Sequence, residues 1–289
     1  MGAPSRMVGA GAQPGRVGQL IYGLKRRAPA AVWRLATGPY WWWYNRARHE
    51  VAAWLDPRLR ESAGRLEAYR GLHSGRRAFI LGNGPSLART DLGRLRREVT
   101  FGMNRIYLHF PIMGYATTYY VAVNTLVIEQ CATEIGSLAM PRFLTWRSRR
   151  WFRRDPGILF LDTDYTRPET FSGDVTGRVF EGSTVTYVAL QLAFFMGFEE
   201  VILIGVDHSF TTSGPPNVTV VSQQDDTDHF SPDYFGKGFR WQLPDLEASE
   251  RAYRIARQAY ESEGRRVLDA TIGGKLTVFP KVEFDSLFP

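Results

Sequence analysis

Apolar residues change their period repeatedly along the chain, and each change marks an element. Ala78–Leu81, Val99–Met103 and Tyr119–Val123 are short runs with little alternation, each followed by a polar or glycine-containing turn. Phe143–Trp146, Ile158–Leu161 and Val201–Ile204 repeat the pattern. Such runs predict strands buried on both faces, as parallel sheets require. Val185–Met196 is apolar on nearly every side and predicts a buried helix, with Ser183 and Thr184 as N-cap candidates and Gly197 near its end. Leu246–Glu263 is amphipathic, with Leu246, Ala252, Tyr253, Ala256, Ala259 and Tyr260 on one face. Gly264 closes that helix and Val267–Leu268 opens a last strand. Strands alternating with helices give an α/β class, a Rossmann-like, mostly parallel, doubly wound sheet with an N-terminal helical extension.

Three segments stand outside the alternation. Residues 1–18 are rich in Gly, Ala and Pro and predict disorder. Residues 19–75 form a basic, aromatic extension that includes Tyr40-Trp41-Trp42-Trp43-Tyr44 and ends in an amphipathic helix over Val51–Tyr69. Lys and Arg mixed with Trp and Tyr suit a membrane-peripheral segment, and equally a helical cap on the main domain. Residues 76–289 make the nucleotide-binding α/β domain. Within it, residues 208–240 have little periodicity and many Asp, Ser, Pro and Gly residues, the mark of a lid loop.

Composition narrows the partners. The chain of 289 residues is 44% hydrophobic and 22% charged, which suits a packed core, and its net charge is +7. The excess crowds the first part of the chain and Arg142–Arg154, so phosphorylated substrates or an anionic membrane surface are expected partners, whereas nucleic acid is not. A solubility surface explains the Arg142–Arg154 cluster equally well. A lone cysteine, Cys131, excludes an internal disulfide and a Cys-based metal site. No apolar run approaches the roughly 18 residues of a membrane span. The expected location is cytoplasmic, with the extension able to touch the inner face of the membrane.

The candidate chemistry begins at Gly82-Asn83-Gly84-Pro85-Ser86-Leu87, directly after a strand. Glycines there let a backbone approach a phosphate, and Gly82, Asn83, Gly84 and Ser86 are phosphate-binding candidates. Leu87 stands where a dinucleotide fingerprint needs glycine, and no Lys-Ser/Thr ending makes a Walker loop. Asn104 and Asn124 follow the second and third strands, so three amides should converge on one crevice with a nucleotide. A turn-forming asparagine is the local alternative for each. Ser183, Thr184, Asp207 and Tyr234 complete the nucleotide set. His229 is the preferred general base, with Asp228 or Asp233 orienting or replacing it and His208 as a second candidate. Tyr234, Lys237, Arg240 and, more weakly, Lys275 could neutralise a departing phosphate. Asp162-Thr163-Asp164 and Asp226-Thr227-Asp228 have the Asp-x-Asp form of a metal pair, a two-residue pattern that also recurs by chance.

These motifs, in this order, resemble the family 42 bacterial sialyltransferases and the related MptE-like domain, named for an archaeal 6-hydroxymethylpterin pyrophosphokinase. The resemblance rests on Gly82–Leu87, Met103-Asn104-Arg105, Asn124, Gly182-Ser183-Thr184 and Phe198–Asp207, and covers the chain from about Arg76. The MptE-like match is the closer one. The sialyltransferase branch implies a CMP-sugar donor held at Asn83, Asn104 and Asn124, a lid histidine as base, two tyrosines behind the leaving phosphate, and no metal. The chain departs from that branch: its second, catalytic lid histidine falls on Asp233 and one tyrosine on Ser209. The expected function is transfer from a nucleotide-activated sugar, with a CMP-sugar favoured, to a glycan or lipid-linked acceptor of the cell envelope, with no cofactor. The MptE branch implies instead a Mg²⁺-ATP pyrophosphokinase acting on a pterin alcohol, with Asp207, Asp162 or Asp164 at the metal. A non-catalytic nucleotide-binding, membrane-peripheral protein is the third reading.

Overall fold

A computed structural model describes Val51 and residues 55–166, 170–212 and 214–288. Contacts divide the chain into residues 1–55 and 56–289, and the second unit is the one followed below. The stretch 1–18 and the basic, aromatic part of the extension, Tyr40–Tyr44 included, lie outside the described residues.

The strands are β1 Arg77–Leu81, β2 Val99–Met103, β3 Tyr119–Ala122, β4 Arg142–Thr145, β5 Ile158–Asp164, β6 Arg178–Phe180, β7 Glu200–Ile204, β8 Thr219–Val221, β9 Arg240–Gln242 and β10 Arg266–Asp269. The helices are α1 Pro57–Leu66, α2 Phe110–Met113, α3 Thr125–Gln130, α4 Ala132–Ser137, α5 Val185–Phe195 and α6 Leu246–Ser262. Among the described residues, one sheet runs β10-β7-β1-β2-β3-β4-β5-β6. All its pairings are parallel. This is the Rossmann-like α/β sheet that the apolar runs predict. From β1 the chain steps outward to β6, then returns to lay β7 on the other side of β1. The order therefore reverses between β1 and β7, and ligands of open α/β sheets bind at the carboxyl ends of strands at such a switch point.

Helix α5 is the central buttress. Its sequence VTYVALQLAFF is apolar all round, and Tyr187, Val188, Ala189, Leu190, Leu192 and Ala193 are fully buried. Its end is a Schellman turn: Gly197 at φ 87° lets Phe198 N–H reach the Ala193 carbonyl and its own N–H reach Phe194. Ala78, Ile80, Phe101, Val121, Val201 and Leu203 share one core with α5 and α6. The pleat sends Phe79 to the opposite face, where it stacks on Phe288 at 5.9 Å.

Four features differ from the expectations drawn from the sequence. Helix α1 belongs to the α/β unit: Leu66 joins its core and Ser62 Oγ accepts from Phe160 N–H of β5 at 2.9 Å. Strand β6 is three residues long, too short to carry a period. The expected lid is built rather than looped. It contains β8, which pairs antiparallel with β9, and its Tyr234 and Phe235 cluster with Trp241 and Leu243, just beyond it, and with Val127 of α3. Part of the basic cluster is internal: Arg142 is buried against Asp155 at 2.9 Å, Arg147 pairs with Glu181 at 2.5 Å, and Arg149 pairs with Asp56 at 2.7 Å.

Candidate functional site

Register brings the site together. Leu81 pairs with Ile204 on one side and Gly102 on the other, and Gly102 with Tyr120, so β1, β2, β3 and β7 end at one level. Gly82, Asn83, Gly84, Met103, Asn104 and Gly205–His208 therefore emerge along the same edge, where they line an open cleft of about 150 Å³. Ser183–Thr186 at the start of α5, Leu246, Ser249 and Tyr253 of α6, and Ser209, Phe210, Asp228, His229, Tyr234 and Pro244 from the lid region close it. Four non-glycine residues among those described hold left-handed φ, and three of them, Asn104 (49°), Ser183 (61°) and His208 (54°), line this cleft. Such conformations cost energy and concentrate where a site imposes them.

The glycine loop has a different role from the one its sequence suggests. Both Asp207 carboxylate oxygens turn into it, taking Ser86 N–H at 3.1 Å and Ser86 Oγ–H at 2.7 Å. Gly82, Gly84 and Leu87 N–H are bonded to the carbonyls of Ile204, Gly205 and Gly84. The expected phosphate cradle is thus filled by the protein's own anion. Of the loop's amides, only Asn83 N–H lacks a partner among the described residues. Gly84 is required because a Cβ there would overlap the Asp207 carboxylate. Leu87 is buried and sits 3.0 Å from where a Cβ on Gly205 would lie, so it completes a packed turn in place of a third glycine.

What the cleft offers a ligand is amide. The side-chain oxygens of Asn83 and Asn104 are both buried without a hydrogen-bond partner. A buried acceptor left unpaired costs about 1–3 kcal/mol, a cost that a ligand donor removes. Asn104 is held by Tyr120, whose fully buried hydroxyl donates to its carbonyl at 2.6 Å. Asn124 is not part of the lining: its Oδ1 caps α3, accepting from Leu126 N–H at 2.9 Å.

The lid supplies an acid–base couple. His229 Nδ1 donates to Asp226 Oδ2 at 2.8 Å, and Asp226 is fixed in turn by the N–H groups of Phe235 and Asp228 at 2.9 and 2.8 Å. The imidazole lies flat on Tyr234, with ring centroids 4.1 Å apart. Its Nε2 has no partner among the described residues. Phe230 N–H donates to the Asn83 carbonyl at 3.0 Å and ties this couple to the glycine loop. The orienting carboxylate is therefore Asp226, which the sequence offered only as half of an Asp-x-Asp pair. Asp233 is exposed and outside the cleft; its carbonyl, with that of Tyr234, anchors the Arg105 guanidinium. Tyr234 is fully buried beneath His229, and burial drives its phenol pKa upward.

Asp228 binds the strand-end loop to the lid. Its carboxylate accepts from Thr211 N–H and Oγ–H at 2.6 and 2.7 Å and from Thr212 Oγ–H at 2.8 Å. Burial acts to raise its pKa, the threonine bonds outweigh it, and the carboxyl ends below its usual range. A depressed carboxylate stabilises the fold above its unfolded pKa and loses that contribution as pH falls through the folded value. The contacts should thus persist through neutral pH. Asp228→Asn should expose the Thr211 and Thr212 amides to hydrogen exchange at pH 7, weakening local protection by about 1–3 kcal/mol.

Other candidates lie elsewhere. Lys237, Arg240 and Lys275 are absent from the lining, which among the described residues contains no Lys or Arg. Asp162 is ion-paired with Arg178, and Asp164 Oδ1 accepts from Thr166, both on β5, four strands from β1. Asp207 is engaged by Ser86 and lies across the sheet from Asp162 and Asp164, so the three carboxylates do not converge, and among the described residues no group of three potential metal ligands is found. No helix among them is long and apolar enough to cross a membrane.

No known protein family matches the chain, and no curated protein does. Among solved structures it is similar to the MAf glycosyltransferase from Magnetospirillum magneticum AMB-1, with 16% identity and a TM-score of 0.47 over 81% of this chain. The chain spans 40% of that one.

Proposed function

We propose that the protein is a metal-independent glycosyltransferase that uses a nucleotide-activated sugar, with a CMP-sugar as donor. The observation that carries this reading is the pairing, in one switch-point cleft, of two orphaned buried asparagine oxygens with a carboxylate-oriented histidine. The asparagines suit the exocyclic amine of a base or the hydroxyls of a ribose. The hydroxyls of Ser183 and Thr184, at the start of α5, suit a single phosphate. Among the described residues the lining offers hydroxyls and amides and no Lys or Arg, which suits a monophosphate-linked donor. His229 Nε2 takes the proton of the acceptor hydroxyl as that oxygen bonds the anomeric carbon and the sugar–phosphate bond breaks. The motif order resembles both the family 42 sialyltransferases and the MptE-like domain, and supports a nucleotide-using transferase in general. A cell-envelope acceptor, reached through the basic, aromatic residues before Asp56, completes the proposal.

The test is thermal stabilisation by CMP, CDP, UDP, GDP and ATP, each with and without Mg²⁺. CMP should raise the melting temperature in EDTA. A shift seen only with ATP and Mg²⁺ would replace this reading by the pyrophosphokinase.

A further inference from the structure

The cleft has a second histidine–carboxylate couple, and we propose that it serves the leaving group. His208 follows β7 with left-handed φ, lines the cleft, and donates from Nε2 to Glu250 Oε1 of α6 at 3.1 Å. Its side chain is 7% exposed. Glu250 is held by Arg254 at 2.8 Å on its other oxygen, so the carboxylate is fixed in orientation. Tyr253 stands 6.3 Å from the imidazole, and its hydroxyl meets Thr184 Oγ at 3.3 Å, which places His208 and the start of α5 around one corner of the cleft. Asp207, the adjacent carboxylate, is occupied by Ser86. His208 Nδ1 has no partner among the described residues.

Among the described residues the lining has no Lys or Arg, and its cationisable side chains are His208 and His229. They are supported from different elements, His229 by Asp226 of the lid and His208 by Glu250 of α6. This divides the labour. As the sugar–phosphate bond breaks, the bonding pair moves to the phosphate oxygen, and His208 Nδ1 passes its proton to that oxygen. His229 gains the proton from the acceptor hydroxyl. One proton enters the protein and one leaves it, and the nucleoside monophosphate departs as its monoanion. His208 then neutralises the departing phosphate, a role for which Lys237 and Arg240, outside the lining, are not placed.

This inference rests on the nucleotide reading, and the experiment separates the two. CMP and cytidine are titrated calorimetrically at pH 6.0 in EDTA into the wild type, His208→Gln and His229→Gln, and the ³¹P signal of bound CMP is recorded. The wild type should bind CMP more tightly than cytidine. His208→Gln should lose on the order of tenfold in CMP affinity, the worth of one charge-assisted hydrogen bond, and shift the ³¹P resonance. Its cytidine affinity should be unchanged, which also shows that the variant is folded. His229→Gln should keep both properties. Cytidine binding with an undiminished CMP preference in His208→Gln would overturn the inference alone. A wild type that binds neither compound would overturn the nucleotide reading and this inference with it.

Discussion

Replacing His229 by Asn should lower turnover by roughly 10²–10⁴-fold while leaving CMP affinity close to wild type. The imidazole is held on three sides: by Asp226 at 2.8 Å, by the Tyr234 ring beneath it and by the Phe235 ring at its edge. Nδ1 carries the proton given to Asp226, which leaves Nε2 as the acceptor a general base needs. Asn can replace the hydrogen bond but cannot take a proton at neutral pH. Asp226→Asn should fall between the two, since it keeps the contact and loses the charge. Asp233→Ala should stay near wild type, because Asp233 is exposed and outside the lining. Steady-state turnover of the four proteins checks all of this. Full activity in His229→Asn would remove the base assignment.

The second large effect is expected at Gly82. A Cβ there would overlap the Gly205 carbonyl oxygen, lie 2.5 Å from its carbon and 2.9 Å from Val206 N. All three are backbone atoms of the strand end paired with β1, so no rotamer change relieves the contact. The two central strands must separate or the loop must shift. Gly82→Ala should therefore cost about 3 kcal/mol, the upper range for overpacking, and lower the melting temperature by roughly 6–12 °C. Gly64→Ala is the control: it lies in α1 with nothing within 4 Å of the new methyl, and should be neutral or slightly stabilising. Equal melting temperatures for the two variants would contradict the close approach of β1 and β7.

The sheet was legible because burial on both faces leaves no alternation to confuse. The apolar run Val99–Met103 has the bounds of β2, and β1, β4 and β7 each begin one residue before their apolar runs. Strand β6 escaped because three residues carry no period. Partner choice inside the site was less legible. An aspartate beyond a strand can orient a base, hold a metal or cap a turn, and only the fold shows Asp207 entering the glycine loop. Asn124 had the N-cap signature, a polar residue directly before a helix, and that local signal outweighed its likeness to Asn83 and Asn104. Asp226 stands three residues before His229, a spacing that pairs the two only because the lid turns back on itself there. Glu250 lies 42 residues from His208, and sequence spacing contains no trace of that contact.

A nucleotide is expected at the carboxyl ends of β1 and β2, against Asn83 and Asn104. Calorimetric titration of CMP in EDTA into the wild type, Asn83→Ala and Asn124→Ala tests it most directly. The wild type should bind, and Asn83→Ala should lose about 1–3 kcal/mol of binding free energy. Asn124→Ala should bind as the wild type does, although it melts earlier by about 1 kcal/mol for its lost helix cap. Absence of CMP binding without metal, or binding that Asn83→Ala leaves untouched, would contradict the account.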